Sequence, residues 1–369
     1  MQKPEFGKVE GSAREWIGGA LQRLDADVCR SADTHLIRLD LPRAPGVRLY
    51  LKDESTHPSG SLKHRLARSL ILYGLCNGRI GRATTLFDAT SGSTAVSEAY
   101  FARLIGLRFV AVAPRATSRA KLEAIRFEGA EIHFVDDPRD APAEAARLAR
   151  ECGGHFLDQF TYAERATDWR GNNNIAESIF TQMAREEAPE PAWIVCGAGT
   201  GGTSATLGRY IRYARKATRL CVADPVGSVF HRHFLDRSIE RLEDGCGSCI
   251  EGVGRAQVEP SFIPEVIDRM IAVPDAASLG AMRAISRRLG RRVGGSTGTN
   301  IVACVEIIAE MTERGEAGSV VTLLCDSGQR YEDTYFDDAW LATRDLDWRP
   351  HAERIATWFE PDAAPSADG

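Results

Sequence analysis

The sequence predicts an α/β protein in which parallel strands are covered by helices and the chain forms more than one lobe. Between residues 47 and 324, short apolar runs alternate with longer stretches of helical period, the pattern of strands joined by crossover helices. Most runs are rich in β-branched residues and unbroken by polar ones, as befits strands buried on both faces. A chain of 369 residues exceeds one ordinary core, so two lobes with a cleft large enough for a small molecule are expected.

In chain order, the expected strands are residues 48–52, 84–89, 108–113, 131–135, 155–157, 193–197, 219–224, 270–274 and 319–325. Helices are expected where turn chemistry punctuates the pattern: 62–75 before Asn77-Gly78, 94–105 before Gly106, and 203–215 after a glycine loop. Residues 341–359, which carry Trp348 and Trp358, read as an appended helix packing on the body. The final PDAAPSADG reads as a fraying tail.

With 43% hydrophobic and 26% charged residues the composition is that of a globular protein, and a formal charge of −5 gives no general attraction to nucleic acid or anionic membranes. Small-molecule chemistry is the expectation. The first residues lack a continuous apolar core, and no stretch approaches the roughly 18 apolar residues of a spanning helix, so the chain reads as cytoplasmic. Nine cysteines, mostly in apolar runs such as those ending at Cys196 and Cys221, read as small buried hydrophobes with reduced thiols. Cys246 and Cys249, in a Gly-rich loop, read as an incidental, inert pair, with a redox pair or half a metal site as alternatives. No second pair completes a metal site, so no metal is expected.

Three segments carry chemistry. Gly197-Ala-Gly-Thr-Gly-Gly-Thr203 follows an apolar strand and opens an amphipathic helix, a context that turns backbone N–H groups of Gly199, Thr200, Gly201, Gly202 and Thr203 toward a phosphate. Thr90-Ser-Gly-Ser-Thr-Ala95 likewise follows a strand. Its hydroxyls and amides suit a second anion such as a substrate carboxylate, or form a Ser/Thr helix cap. Lys63, in Pro58-Ser-Gly-Ser-Leu-Lys63, is a solvated cation or, desolvated, a nucleophilic amine. An amine and a phosphate cradle together suggest pyridoxal phosphate, its aldehyde held by Lys63 as a Schiff base.

These segments resemble the fold-type II pyridoxal-phosphate enzymes, and within them the cysteine synthase and cystathionine β-synthase family, from about residue 34 to 335. The resemblance implies two open twisted sheets flanked by helices with the cofactor in the cleft. It implies Lys63 as catalytic Schiff-base lysine, the Gly199 to Thr203 loop on the phosphate and Ser296 on the pyridine nitrogen. Thr90, Ser91, Thr94 and Gln159 would bind the substrate carboxylate. Most members carry Asn where this chain has Ser93, and that Asn bonds the cofactor's 3′-oxygen; Ser93 would do so with a shorter reach. Glu251-Gly-Val-Gly254 is similar to a glycine turn near the ring, and Asp326-Ser-Gly-Gln-Arg-Tyr331 to the motif after the last strand. The implied division is a smaller lobe of 66–163, a larger one of 1–65 with 164–340, and an extension of 341–369, too short for a regulatory domain.

The connecting sequence, including Ser31-Ala-Asp-Thr-His35 and Arg165-Ala-Thr-Asp-Trp-Arg-Gly-Asn-Asn-Asn174, is similar to bacterial L-cysteine desulfhydrases. That implies β-elimination of an amino acid such as cysteine, in a homodimer. Asp168, Arg170 and Asn172, Asn173 and Asn174 would either wall the site near Gln159 or cap the helix that follows. His64, His231 and His233 read as solvated or packing residues. Two alternatives stay open: β-replacement from the same intermediate chemistry, and a phosphate-ligand-binding regulator that has lost catalysis.

Overall fold

The computed structural model describes residues 9–243 and 247–360. In chain order the strands are β1 (His35–Leu39), β2 (Val47–Asp53), β3 (Leu86–Ala89), β4 (Phe109–Pro114), β5 (Glu131–Val135), β6 (His155–Phe156), β7 (Trp193–Gly197), β8 (Arg219–Pro225), β9 (Arg269–Val273) and β10 (Gly318–Leu324). Two compact units result: a smaller one from the described residues up to Asp33 together with Lys63–Thr167, and a larger one from Thr34–Leu62 together with the described residues from Asp168 onward.

The larger unit holds a six-stranded sheet in the order β1-β2-β10-β7-β8-β9. All pairs are parallel except β1 with β2. Successive side chains alternate faces: Trp193 and Val195 join one core with Val320 and Leu324, while Ile194 and Cys196 join the opposite core with Val321 and Leu323. Each such aliphatic residue withdrawn from water contributes roughly 1.5–3 kcal/mol. That two-sided burial is what the unbroken apolar runs predicted.

In the smaller unit the order is β5-β4-β3-β6, all parallel. Leu86, Phe109 and Ala111 face the helices Lys63–Cys76 and Ser93–Ile105, whereas Phe87, Ala89 and Val112 face Ala141, Ala145 and Ala149 of helix Ala141–Glu151. By the same alternation Asp88 shares the face of Leu86.

The α/β class and both helix-flanked sheets match the expectation, and every predicted strand is present. Several details differ. β1 was not anticipated, because His35-Leu-Ile-Arg-Leu39 mixes polar and apolar residues on an antiparallel edge strand whose burial is only partial. Helix Val9–Val28 lies with the smaller unit rather than the larger, because Ala20 and Leu24 are buried in one cluster with Leu70, Ile71 and Ala99. The boundary expected at residue 66 falls at Lys63.

Residues 341–359 do pack on the body but as part of two short helices, Asp338–Ala342 and Arg349–Ala356. Asp345, at φ +54°, breaks the run, and Pro350 restarts it in the first turn where its missing N–H costs nothing. Leu341, Trp348, Ala352 and Ile355 join the larger unit's core. Cys196, Cys221 and Cys304 are buried as expected, and burial pushes their thiols up, that of Cys221 to about 12. Cys29, Cys76 and Cys152 are exposed instead. Cys246 and the tail of residues 361–369 lie outside the described residues, and with Cys246 the readings of its spacing to Cys249.

Candidate active site

In an open parallel sheet, ligands are bound beyond the carboxyl ends of the strands, and in the larger unit the singled-out motifs gather there. β7 ends at Gly197 and passes through Gly199 and Thr200 to Gly201, the cap of helix Gly202–Tyr213. Gly201 has φ +89°, and a Cβ there would stand 2.5 Å from Phe262 Cα and 2.6 Å from Ser261 O. Only glycine fits. Because Gly201 brings no side chain to cap the helix, its first turn presents backbone N–H groups and the positive end of the helix dipole. Within the loop, the Thr200 hydroxyl accepts from Gly202 N at 3.2 Å. Thr203 follows as the second residue of the helix.

The turn Glu251-Gly-Val-Gly254 packs on this loop. Gly254 N donates to Ala198 O at 2.9 Å, and a Cβ on Gly197 would strike Val253 Cγ1. Next to it runs the end of β10, where Cys325 N donates to Thr297 Oγ1 at 3.0 Å and Gly294 N to Asp326 O at 3.2 Å. Tyr331 OH donates to Asp326 Oδ2 at 2.7 Å. The motif from Asp326 to Tyr331 thus frames the start of helix Gly295–Glu313, whose first turn carries Ser296, 7% exposed.

The buried polar atoms at this edge without a hydrogen-bond partner among the described residues include Asn300 Oδ1 and Ser61 Oγ. Ser61 is bridged to Asp326, and Asn300 Nδ2 donates to Leu323 O at 3.2 Å. The Ser61 and Ser296 hydroxyls, which can donate, and the glycine-lined loop with its backbone amides fit a polar, phosphate-bearing group. Leu62 N donates to Cys325 O at 2.8 Å, which fixes the backbone one residue before Lys63. Lys63 itself, half-buried, opens helix Lys63–Cys76 of the smaller unit.

In the smaller unit, β3 ends at Ala89 and the chain passes through Thr90 and Ser91 to Gly92, cap of helix Ser93–Ile105, again without a side-chain cap bond. The Ser/Thr-cap alternative is therefore not what forms. Ser93 is the first helical residue and its carbonyl accepts from Ser97 Oγ. Thr94 Oγ1 donates to Gln159 Oε1 at 2.9 Å, and Gln159 Nε2 donates to Asp88 Oδ2 at 3.1 Å. Thr94 and Gln159 are 5% and 4% exposed. Thr94 and Gln159, separated by three strands and two helices of the chain, are thus brought into one hydrogen-bonded chain with Asp88.

Sequence reasoning missed Asp88 and Glu98, both fully buried. The signal was present: Asp88 interrupts the apolar Leu86-Phe-Asp-Ala89, and Glu98 lies on a helix stripe with Ala95, Ala99 and Ala102. Asn174 caps helix Ile175–Met183, accepting from Ala176 N and Glu177 N at 2.9 and 3.0 Å, and its Nδ2 donates to Asp168 O. Capping is thus the role this loop displays. His64 packs on Tyr100 and Phe101, and His233 Nδ1 lies 3.0 Å from Ile239 O. His231 donates its backbone N–H to Asp224, and burial holds its imidazole below the usual range.

The family described as "Pyridoxal-phosphate dependent enzyme" matches residues 31–326. The chain belongs to this family. Among curated members, L-cysteine desulfhydrase Cds1 of Mycobacterium tuberculosis (strain ATCC 25177 / H37Ra) is 59% identical over 343 residues, covering 92% of this chain and 93% of that one. N-(2-amino-2-carboxyethyl)-L-glutamate synthase of Ralstonia nicotianae is 31% identical, covering 80% of this chain and 84% of that one. Of solved structures, the pyridoxal-phosphate enzyme family chain here is similar to O-ureido-L-serine synthase, with a TM-score of 0.71 and 26% identity over 84% of this chain and 96% of that chain. Among the described residues, no helix of this family member is long and apolar enough to cross a membrane.

Proposed function

We propose that the chain is an L-cysteine desulfhydrase, converting L-cysteine and water to hydrogen sulfide, pyruvate and ammonia. The observation that carries the proposal is its 59% identity, across nearly the whole of both chains, to a protein of that name. Pyridoxal phosphate, when bound, supplies an electron sink that makes both the Cα proton and a Cβ substituent of an amino acid labile.

The chain's own groups then divide the work. Backbone amides of Gly199, Thr200, Gly201, Gly202 and Thr203 would hold the phosphate at the helix start, Ser296 would bond the pyridine nitrogen, and Ser93 would bond the 3′-oxygen. Thr90, Ser91, Thr94 and Gln159 hold the substrate's carboxylate, aided by the uncapped start of helix Ser93–Ile105. Lys63 Nζ holds the cofactor's aldehyde in the resting enzyme, and as the free amine it takes the Cα proton. Sulfide leaves Cβ. The enamine released from the site hydrolyses in water to pyruvate and ammonia.

A second reading, β-replacement, is favoured by relatives named as synthases, including the 31% identical enzyme of Ralstonia nicotianae. It needs the same residues. Incubation of the purified enzyme with L-cysteine alone separates the two: desulfhydration yields equal amounts of sulfide and pyruvate without an acceptor. Negligible pyruvate, together with rapid turnover of O-acetylserine and sulfide, would replace this reading with the synthase. A homodimer in the cytoplasm belongs to the same proposal, and sedimentation of the holoenzyme tests the dimer.

A further inference from the structure

Beneath the Thr90 to Thr94 loop lie two carboxyls to which the chemistry above gives no task. Asp88 is on β3 and Glu98 is in the second turn of the following helix, and both are wholly buried. Strand alternation turns Asp88 toward the face that this helix covers, where its charge acts on Glu98. Asp88 Oδ1 and both oxygens of Glu98 are buried with no hydrogen-bond donor among the described residues. Two carboxylates in contact away from water cannot both ionise, so the pair must hold a proton.

We infer that the Asp88–Glu98 pair is a positioning device: it locks the Gln159 amide with its nitrogen toward Asp88 and its oxygen toward Thr94, and so sets which donors meet the carboxylate of an amino-acid substrate. The inference rests on the reading that this loop and Gln159 take that carboxylate. An amide side chain turned by half a revolution exchanges a donor for an acceptor. Facing an ionised oxygen, only the nitrogen of Gln159 is tolerated. Its second N–H is left for the ligand.

The site of the proton follows from the surroundings. Burial first, with the charge of Asp158 adding to it, raises Asp88 to about 6, against the lowering influence of Glu98 and of the amides of Ala89 and Gln159. Burial and then the charge of Asp88 hold Glu98 well above the usual carboxylate range. Asp88 Oδ2 accepts from Gln159 Nε2 at 3.1 Å, so the proton of the pair lies on its other side, between Asp88 Oδ1 and Glu98.

The test compares holoenzyme variants by calorimetric binding of L-alanine, which has no leaving group, and of ethylamine, its analogue without the carboxylate. Glu98→Met, similar in length but without a donor, is expected to weaken L-alanine about tenfold, the scale of one lost charge-assisted hydrogen bond. Ethylamine binding should not change, and KM for L-cysteine should rise about as much with kcat nearly constant. Glu98→Gln, a neutral donor of the same shape, should rescue both. Should Glu98→Met fail to fold, Glu98→Ala carries the same expectation. Unchanged L-alanine binding in the Met variant, equal loss of both ligands, or no rescue by Gln would overturn the inference. Gln159→Ala is the control: if it leaves L-alanine affinity intact, the carboxylate-loop reading itself fails and this inference with it. If it weakens L-alanine while Glu98→Met does not, only the role of the pair fails.

Discussion

A neutral hydroxyl opposite a pyridine nitrogen, as proposed for Ser296, cannot keep that nitrogen protonated as a carboxylate would, so the cofactor stays a weaker electron sink. Long-lived negative charge at Cα is disfavoured, and prompt loss of a Cβ leaving group is favoured over transamination. Ser296→Asp is expected to shift the visible absorption of the holoenzyme and slow elimination by about tenfold, roughly 1.4 kcal/mol in the barrier; unchanged spectrum and rate would remove this residue from the ring. Lys63→Ala should cost about 10²–10⁴ in turnover, the range for a positioned proton-transfer group, and abolish the absorption band of the resting enzyme. Both residues stand in motifs legible in the sequence. Asp88 and Glu98 were not, because a carboxyl in an apolar run does not announce whether it meets solvent, a cation or a second carboxyl.

At the scale of elements, the two helices Ser93–Ile105 and Gly202–Tyr213 begin at glycines that supply no side-chain acceptor, while Ile175–Met183 begins at Asn174, which caps two amides. The Thr200 hydroxyl meets the first amide of Gly202–Tyr213; the further open amides of both starts suit an anion, whereas a capped start is structurally complete. Gly201→Ala would force a side chain into a positive-φ position 2.5 Å from Phe262 Cα. Loss of pyridoxal-phosphate affinity by at least about tenfold is expected in titrations of the apoenzyme, with the fold retained by circular dichroism. Asn174→Ala should instead cost about 1 kcal/mol of stability, seen as a lower midpoint of urea unfolding, with KM for L-cysteine unchanged. A raised KM would restore this loop to the substrate site. The strands were legible because two-sided burial writes unbroken apolar runs, and β1 escaped because an edge strand needs no such run.

For the whole molecule, the buried acid pair gives stability a direction in pH. Unfolded carboxyls titrate near pH 4, whereas in the fold burial raises Asp88 to about 6 and holds Glu98 well above the usual carboxylate range. Between those limits the folded chain holds protons that the unfolded chain has released. The pair's contribution is therefore greatest below the unfolded pKa and declines as pH rises through the folded ones. Glu98→Gln, which has no proton to lose, should gain stability relative to the unaltered protein as pH is raised from about 5 to 8, measured by urea unfolding across that window. A constant difference would place the proton elsewhere.

By itself, the sequence determined the α/β class, nine of the ten strands among the described residues, and the family with its cofactor, because local patterns and ordered motifs are written in neighbouring residues. Only the tertiary structure decided that Gly254 packs against Ala198, that Thr94 reaches Gln159 and that Glu98 meets Asp88. It also decided that Val9–Val28 joins the smaller unit. Each of these joins segments far apart in the chain, and such meetings depend on strand order, strand alternation and the closure of a core around them, which no local run of residues specifies.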